Sequence, residues 1–401
     1  MENNLYNALI DSIKNIGKPE WRKTLEYVCM LHAKSVHPPI APFCYPWEEI
    51  GPGYISSPAF GHWDIVHELL DSVDACPAHT ANQLKNLLQF QESDGFMPGV
   101  IFMKSGSPVV GTRCTHPPVW PVVAEKYLHK TGDREFKDLI YKCLIKLITW
   151  FEQNRSAGSA GYYYLDITAN IWDSGVDQGA RFDCVPKSIM PCIDATSHVY
   201  MLYQYAAKWT EDNNLEREFL NKGEKIKSFI TKDFFDEETG FFHDLWAVNN
   251  PEKRVLSFEG IWPLVVGAAD YRQAQRVINE NLLNQKRFFT KHPISTVSVS
   301  DHKFELRLWR GPAWNSMSYW AAVGCVKYNR SDAAKMILEN AMDATSKCFK
   351  KTGTIWEFYH SHGGNPMEVQ RKPSTGYNMP CSDYLGHNPL IAMVKLWDEI
   401  K

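Results

Sequence analysis

The sequence predicts an all-α fold, an (α/α)6 barrel in which a ring of six inner helices is wrapped by six outer ones. Three observations predict it. Ten segments repeat apolar residues at i, i+3, i+4 and i+7; the segments recur as pairs; and Gly, Pro and aromatic residues collect in the joins between them. Convincing strands are few. A chain of 401 residues, 44% hydrophobic and 13% aromatic, can bury a large core, yet it exceeds the usual single-domain size unless the architecture closes on itself.

In order, the periodic segments are LYNALIDSIKNI (5–16), WDIVHELLDSV (63–73), TANQLKNLLQFQ (80–91), WPVVAEKYLHK (120–130) and FKDLIYKCLIKLITWFEQ (136–153). The second half continues with ATSHVYMLYQYAAKWT (195–210), EREFLNKGEKIKSFITKDF (216–234), ADYRQAQRVINENLL (269–283), AWNSMSYWAAVGCVKY (313–328) and DAAKMILENAMDATSKCF (332–349). Joins such as CYPWEEIGPGYISSPAFGH (44–62), DGFMPG (94–99) and RGPAWN (310–315) break helices and carry the aromatic side chains. About six hairpins fit the length. No low-complexity linker or charge block divides the chain, so residues 1–401 are expected to form a single domain.

Charge and cysteine usage exclude several classes. The net charge is −3, with Lys+Arg 43 against Asp+Glu 46, so no basic field exists to hold nucleic acid or an anionic membrane. No stretch approaches eighteen uncharged apolar residues. The opening MENNLYNALIDSIKNIGKPEW breaks its apolar residues with polar ones, unlike a secretory leader. Ten scattered cysteines contain no C-x-x-C pair, which fits reduced thiols and a cytoplasmic location. Oligomeric state is left open.

Fourteen Trp and eighteen Tyr are many, and several lie in joins or at helix starts, among them Trp63, Trp172, Trp309, Trp314 and Tyr359. A flat aromatic face beside carboxylates suits a sugar ring, whose C–H groups are apolar and whose hydroxyls need polar partners. Three motifs place such charges beside such rings. In DSGVDQGAR (173–181), Asp173 and Asp177 lie four apart in a turn-forming stretch that ends on Arg181. In LRLWRGPAWNSMSYW (306–320), Arg310 sits at a loop–helix junction. In GTIWEFYHSHGG (353–364), Glu357 stands between Trp356 and Phe358, where partial desolvation suits proton transfer. Each residue alone also has a plain reading, as a solvated turn, an ion pair or core filler.

Together these stretches resemble the inverting α-glycosidases of glycoside hydrolase family 63. That group includes bacterial mannosylglycerate and glucosylglycerate hydrolases, with family 37 trehalases as distant kin. DSGVDQGAR is similar to the group's E-S-G-x-D-x-x-x-R block, LWRGPAWNSMSYW to its W-R-G-P segment, and IWEFYH to its E-x-Y element. FGHWDIVHELL, DGFMPG, THPPVWPVVAEKYLHKTGDREF and FDEETGFFHDL follow the family's order, so the resemblance runs from about residue 40 to 390. It implies that Asp177 is the general acid and Glu357 the general base. It also implies that Trp63, Asp64, Trp172, Arg181, Trp309, Arg310 and Trp314 wall the sugar and hydrogen-bond it. Asp173 stands where the family has Glu, and His116 where it has Gln, so contacts at these two substrate-binding positions depart from the pattern; Tyr359 completes the set. The N-terminal β-sandwich of the large eukaryotic members has no room here.

An inverting hydrolase needs two carboxyls roughly 6.5–9.5 Å apart with water between sugar and base. The expected substrate is a small α-glucoside or α-mannoside, a glycosylglycerate included, with trehalase and oligosaccharide α-glucosidase activities as alternatives. A carboxylate on the aglycone would want a further cation, for which Arg113, Lys187, Arg307 and Lys372 are candidates. No metal or other cofactor is expected, since the histidines lack zinc-site spacing. Two rivals of other classes are a sugar epimerase or isomerase using His198 with His360, and a non-catalytic carbohydrate-binding protein. In PSTGYNMPCSDYLGHNPL (373–390), Tyr377, Asp383, Tyr384 and His387 either reach the pocket or close the ring.

Overall fold

The architecture follows from which helices are buried on all sides and which on one. In the computed structural model, all residues are described except 1, 105–106, 111–112, 159, 170, 187 and 401; for residues 2, 3, 104 and 107–110 the backbone alone is described. The first half carries helices α1 (Glu2–Ser12), α2 (Arg22–Lys34), α3 (Asp64–Ser72), α4 (Pro77–Leu88), α5 (Trp120–Thr131) and α6 (Arg134–Asn154). The second carries α7 (Ile193–Trp209), α8 (Asn213–Asp233), α9 (Leu245–Val248), α10 (Trp262–Val266), α11 (Tyr271–Arg276), α12 (Asn315–Lys327), α13 (Ser331–Thr352) and α14 (Leu390–Glu399).

Every residue of α3 is buried, and α7 and α12 are buried along most of their length. Helices buried all round, even with polar residues such as Asp64, His67 and Asp71 on α3, belong inside a packed assembly. Helices α4, α6, α8 and α13 instead bury one stripe and expose the other. The packing gives an inner ring of α3, α5, α7, α10, α12 and α14, with outer partners α4, α6, α8, α11, α13 and α2 among the described residues. The chain's two ends close this ring: α14 packs on α2, α3, α12 and α13, and Trp21 meets Trp397 edge-on at 5.0 Å.

Local chemistry sets the hairpin turns. The T-G-D stretch works in two steps: Gly132, at φ 66°, ends α5 in the left-handed conformation, and the Asp133 carboxylate then accepts the Phe136 N–H at 3.0 Å to cap α6. Asp270 and Gln273 form a capping box on α11, which runs on as a π-helical turn over Val277–Leu282.

Strands are few and short. β1 (Val36–His37) pairs with β2 (Trp47–Glu48); β3 (Ala59–Gly61), β4 (Val100–Lys104) and β5 (Ser107–Val110) form an antiparallel sheet; and β6 (Phe235–Asp236) pairs with β7 (Phe241–Phe242). β3 leads straight into His62, Trp63 and α3, and so fixes how the inner ring begins. Helices α2, α10 and α14 and the β4–β5 hairpin lie outside the ten periodic segments. α10 has five residues, and α14 opens with LIAMV, an unbroken apolar run without period. All ten cysteines are free, and no described helix is long and apolar enough to cross a membrane.

Candidate active site

Loops at one end of the inner ring converge on a cavity lined by Trp63, Asp64, His116, Asp177, Trp309, Trp314 and Glu357. All seven are expected site residues. Joining them are Tyr54, Arg371, Tyr384 and His387. Glu357 and Trp314 come from neighbouring extended segments, held by reciprocal backbone hydrogen bonds between Ala313 and Tyr359 at 2.8 and 2.9 Å.

The aromatic wall is a stack. Trp309 lies against Trp314 with centroids 3.7 Å apart and planes 6° from parallel, and Trp63 also stacks on Trp309, at 5.6 Å and 14°. His387 stands edge-on to both Trp63 and Trp314. The Trp63 indole N–H has no partner among the described residues, so a donor is left for a ligand oxygen.

Asp64 lies between Gly61 and Gly386, and a β-carbon at either glycine would collide with its carboxyl group. Burial pushes that carboxyl up to about 7; the Tyr384 hydroxyl, donating at 2.8 Å, pulls it down, while the charges of Glu357 and Asp177 push it further up. Burial lowers His116 to about 4 and His387 well below its ordinary value, so both imidazoles are neutral near pH 7.

The two candidate catalytic carboxylates are each met by a cation from consecutive residues. Arg371 Nε donates to Glu357 Oε2 at 2.7 Å and Oε1 at 3.1 Å, and the Cys381 N–H donates to Oε2 at 3.1 Å. Lys372 Nζ donates to Asp177 Oδ2 at 2.7 Å. Glu357 is buried, whereas the Asp177 and Lys372 side chains are 26% and 28% exposed, which puts that pair at the cavity's rim.

Five expected sugar ligands are not brought to the cavity, and in four the physical reason is an internal partner. Asp173 is fully buried and accepts from Arg155 Nε at 2.9 Å, the Thr115 N–H at 2.7 Å and the Leu165 N–H at 2.9 Å. Arg181 is enclosed by Asp194 at 2.5 Å, Asp244 at 2.9 Å and Glu259 at 3.0 Å. Arg310 pairs with Asp183 at 2.6 Å and Glu305 at 3.1 Å and lines a neighbouring depression with Arg307. Tyr359 stacks on buried His292 at 4.5 Å, and its hydroxyl accepts the Trp356 N–H at 3.1 Å. Trp172 is half-buried beside the turn, its carbonyl accepting the Gly175 N–H at 3.0 Å.

These placements account for the 173–181 spacing. Asp173 and Arg181 are anchors at the two ends of a loop, and Asp177 stands between them. Gln178, in the left-handed region at φ 58°, is held by Arg307 on its side chain at 2.6 Å and by Arg310 on its carbonyl at 3.3 Å. The adjacent arginines thus brace the residue after Asp177.

Among the described residues one cluster has metal-ligand character, Cys192 with Asp194 and Asp244, and the Arg181 guanidinium already bonds both carboxylates. His198 and His360 do not line the cavity; His198 is buried in α7, bonded to the Tyr164 hydroxyl at 2.8 Å. Of the four candidate aglycone cations, Lys187 falls outside the described residues, Arg113 is an exposed partner of Glu92 and Asp94, and Arg307 is tied to Glu305 and Gln178. The residue that sequence reasoning missed outright is Arg371: RKPST reads as an ordinary basic turn, and nothing local marks its burial.

Comparison with known proteins supplies the family context. Residues 58–209 and 195–378 match the family model described as the Mannosylglycerate hydrolase MGH1-like glycoside hydrolase domain. A curated relative, Mannosylglycerate hydrolase MGH1 of Selaginella moellendorffii, is 21% identical over an alignment covering 74% of each chain. Among solved structures, the family 63 mannosylglycerate hydrolase from Thermus thermophilus in complex with glucose superposes with a TM-score of 0.67 at 18% identity, covering 88% of this chain and 95% of that one. Neutral trehalase Nth1 from Saccharomyces cerevisiae gives 0.65 at 14% identity, covering 91% of this chain and 76% of that one. Both share the helical ring.

Proposed function

The chain belongs to the Mannosylglycerate hydrolase MGH1-like glycoside hydrolase family, and from that premise we propose that its cavity hydrolyses a small α-glucoside or α-mannoside, a glycosylglycerate first among them. Asp177 supplies the proton that the glycosidic oxygen takes as its bond to the anomeric carbon breaks, and the aglycone leaves as an alcohol. Glu357 takes a proton from water, whose oxygen bonds to the anomeric carbon from the opposite face. One water is consumed and the anomer inverts. Proton exchange with solvent then returns both groups to their starting states.

The observation that carries this reading is that two carboxylates 180 positions apart line one tryptophan-walled hollow. Other features support it. Stacked indoles offer a flat apolar face to sugar C–H groups, while Asp64, the free Trp63 N–H and neutral His116 offer hydroxyl partners. Anchoring of the Asp177 loop from both sides serves proton transfer, which demands fixed geometry. We assign the whole ring to this one catalytic unit, and the free cysteines favour the cytoplasm as its place of work.

The test is incubation with α-mannosylglycerate, α-glucosylglycerate, trehalose and α-linked oligosaccharides, the product anomer being followed by NMR. Release of a β-anomeric sugar from an α-glycoside is expected. Intact glycosides, retention, or isomerised free sugar without cleavage would each overturn the reading.

A further inference from the structure

In the free protein the proposed proton donor is occupied. Lys372 donates to Asp177 Oδ2 at 2.7 Å, on the carboxyl group that must turn to the leaving oxygen. An ammonium so placed competes with the acidic proton for the carboxylate's lone pairs, and it is that proton which the glycosidic oxygen must accept. Arg371, one residue earlier, is by contrast suited to its contact, because a general base should be ionised and fixed. The two neighbours differ further in mobility: Arg371 and Glu357 are buried, while Lys372 and Asp177 are each about one-quarter exposed. One ion pair is built in and the other can open.

We propose that Lys372 exchanges partners on substrate binding, leaving Asp177 for a carboxylate on the leaving group, and that this exchange frees Asp177 to take up a proton from solvent and pass it to the glycosidic oxygen. The inference rests on the hydrolase reading above and adds a specificity residue to it. Geometry selects the leaving group. A general acid must touch the glycosidic oxygen, so a cation already in contact with that acid lies on the aglycone side of the scissile bond. In a glycoside of a 2-hydroxy acid, the carboxylate is attached to the carbon that bears the glycosidic oxygen. It therefore sits about one side-chain rotation from Lys372. The lysine's flexible four-carbon stem permits that swing, where a planar guanidinium in a bidentate pair would resist it. A neutral aglycone offers nothing to draw Lys372 off, so Asp177 stays engaged and turnover is slow. Among the described candidates, Arg113 and Arg307 do not compete, since both are held by carboxylates outside the cavity.

The test compares kcat/KM for α-mannosylglycerate and for methyl α-mannoside in the wild type, Lys372→Met and Lys372→Arg. The expected result is that Lys372→Met lowers the anionic-over-neutral ratio by about 10–100-fold, with part of it restored by Lys372→Arg. An unchanged ratio overturns the proposal. Binding of D-glycerate against glycerol, by calorimetry, provides a readout without turnover. Asp177→Asn should bind D-glycerate more tightly than the wild type, because it frees the lysine. That gain should vanish in Asp177→Asn/Lys372→Met, and its persistence there overturns the exchange. The two levels separate cleanly. If only neutral glycosides are cleaved, the exchange falls and the hydrolase stands. If nothing is cleaved while D-glycerate binding still follows Lys372, the hydrolase falls and with it the release of Asp177, and only the lysine's carboxylate contact stands.

Discussion

Arg371 donates its Nε to both oxygens of Glu357, at 2.7 and 3.1 Å, in a setting where both side chains are buried. Removing one member of such a pair leaves an uncompensated charge, a costlier event than losing an exposed ion pair. Arg371→Met should lower unfolding free energy by about 3–5 kcal/mol and reduce kcat about 10–100-fold. Arg371→Lys should recover part of each. Urea unfolding and steady-state kinetics check this, and a variant with native stability and rate would show that the pair does not hold the base.

The catalytic assignment makes a direct demand. Asp177→Asn and Glu357→Gln keep side-chain shape while removing the proton donor and the base, so each should cost about 10²–10⁴ in kcat with helical circular dichroism intact. A rate near wild type in either variant removes that residue from the mechanism.

Arg181 separates anchor from ligand. With Asp194, Asp244 and Glu259 around one guanidinium, Arg181→Met leaves three buried acids without their cation. A loss of about 3–5 kcal/mol, or failure to fold, is expected. The triple variant Arg181→Met/Asp194→Asn/Asp244→Asn should be more stable than Arg181→Met alone. A raised KM at unchanged melting temperature would instead make Arg181 a sugar ligand.

Stability should peak in mildly acidic solution on account of a cluster remote from the cavity. Burial alone would pull His32 down, but Glu48 and Asp71, at 2.7 and 3.3 Å, outweigh it and hold the imidazole up at about 10. Burial alone would push Glu48 up, but His32 and His79 outweigh it and bring it to about 2. The His32 contribution is whole below its ordinary 6.5 and is lost as pH rises through 10; that of Glu48 is whole above its ordinary 4.5 and is lost as pH falls through 2. Both are present between those ordinary values. Chemical denaturation at pH 5.5 and pH 9 should therefore show a fall for the wild type and a smaller one for His32→Asn. An equal slope in both would exclude His32 as its source.

The ring was legible because long amphipathic helices repeat their apolar residues over several turns, as in 136–153 and 332–349. α10 and α14 were not, since five residues or a solid apolar run carry no period. At the site, aromatic residues beside carboxylates marked the right loops. They could not separate side chains that face the cavity from those that fasten its walls. Asp177 and Asp173 are the same residue type four positions apart, and only the Arg155 and backbone partners of Asp173 distinguish them. Such partners lie on other elements and leave no local trace.

The Tyr384 hydroxyl reaches Asp64 across 320 positions, and both side chains belong to the cavity. A chain emerging from the ribosome would thus carry Asp64, Asp177 and Glu357 before it has a working pocket, because Tyr384 and His387, which complete the lining, are made after all three. A chain cut between Glu357 and Tyr384 should therefore be inert toward α-glycosides, however much of the ring has already formed.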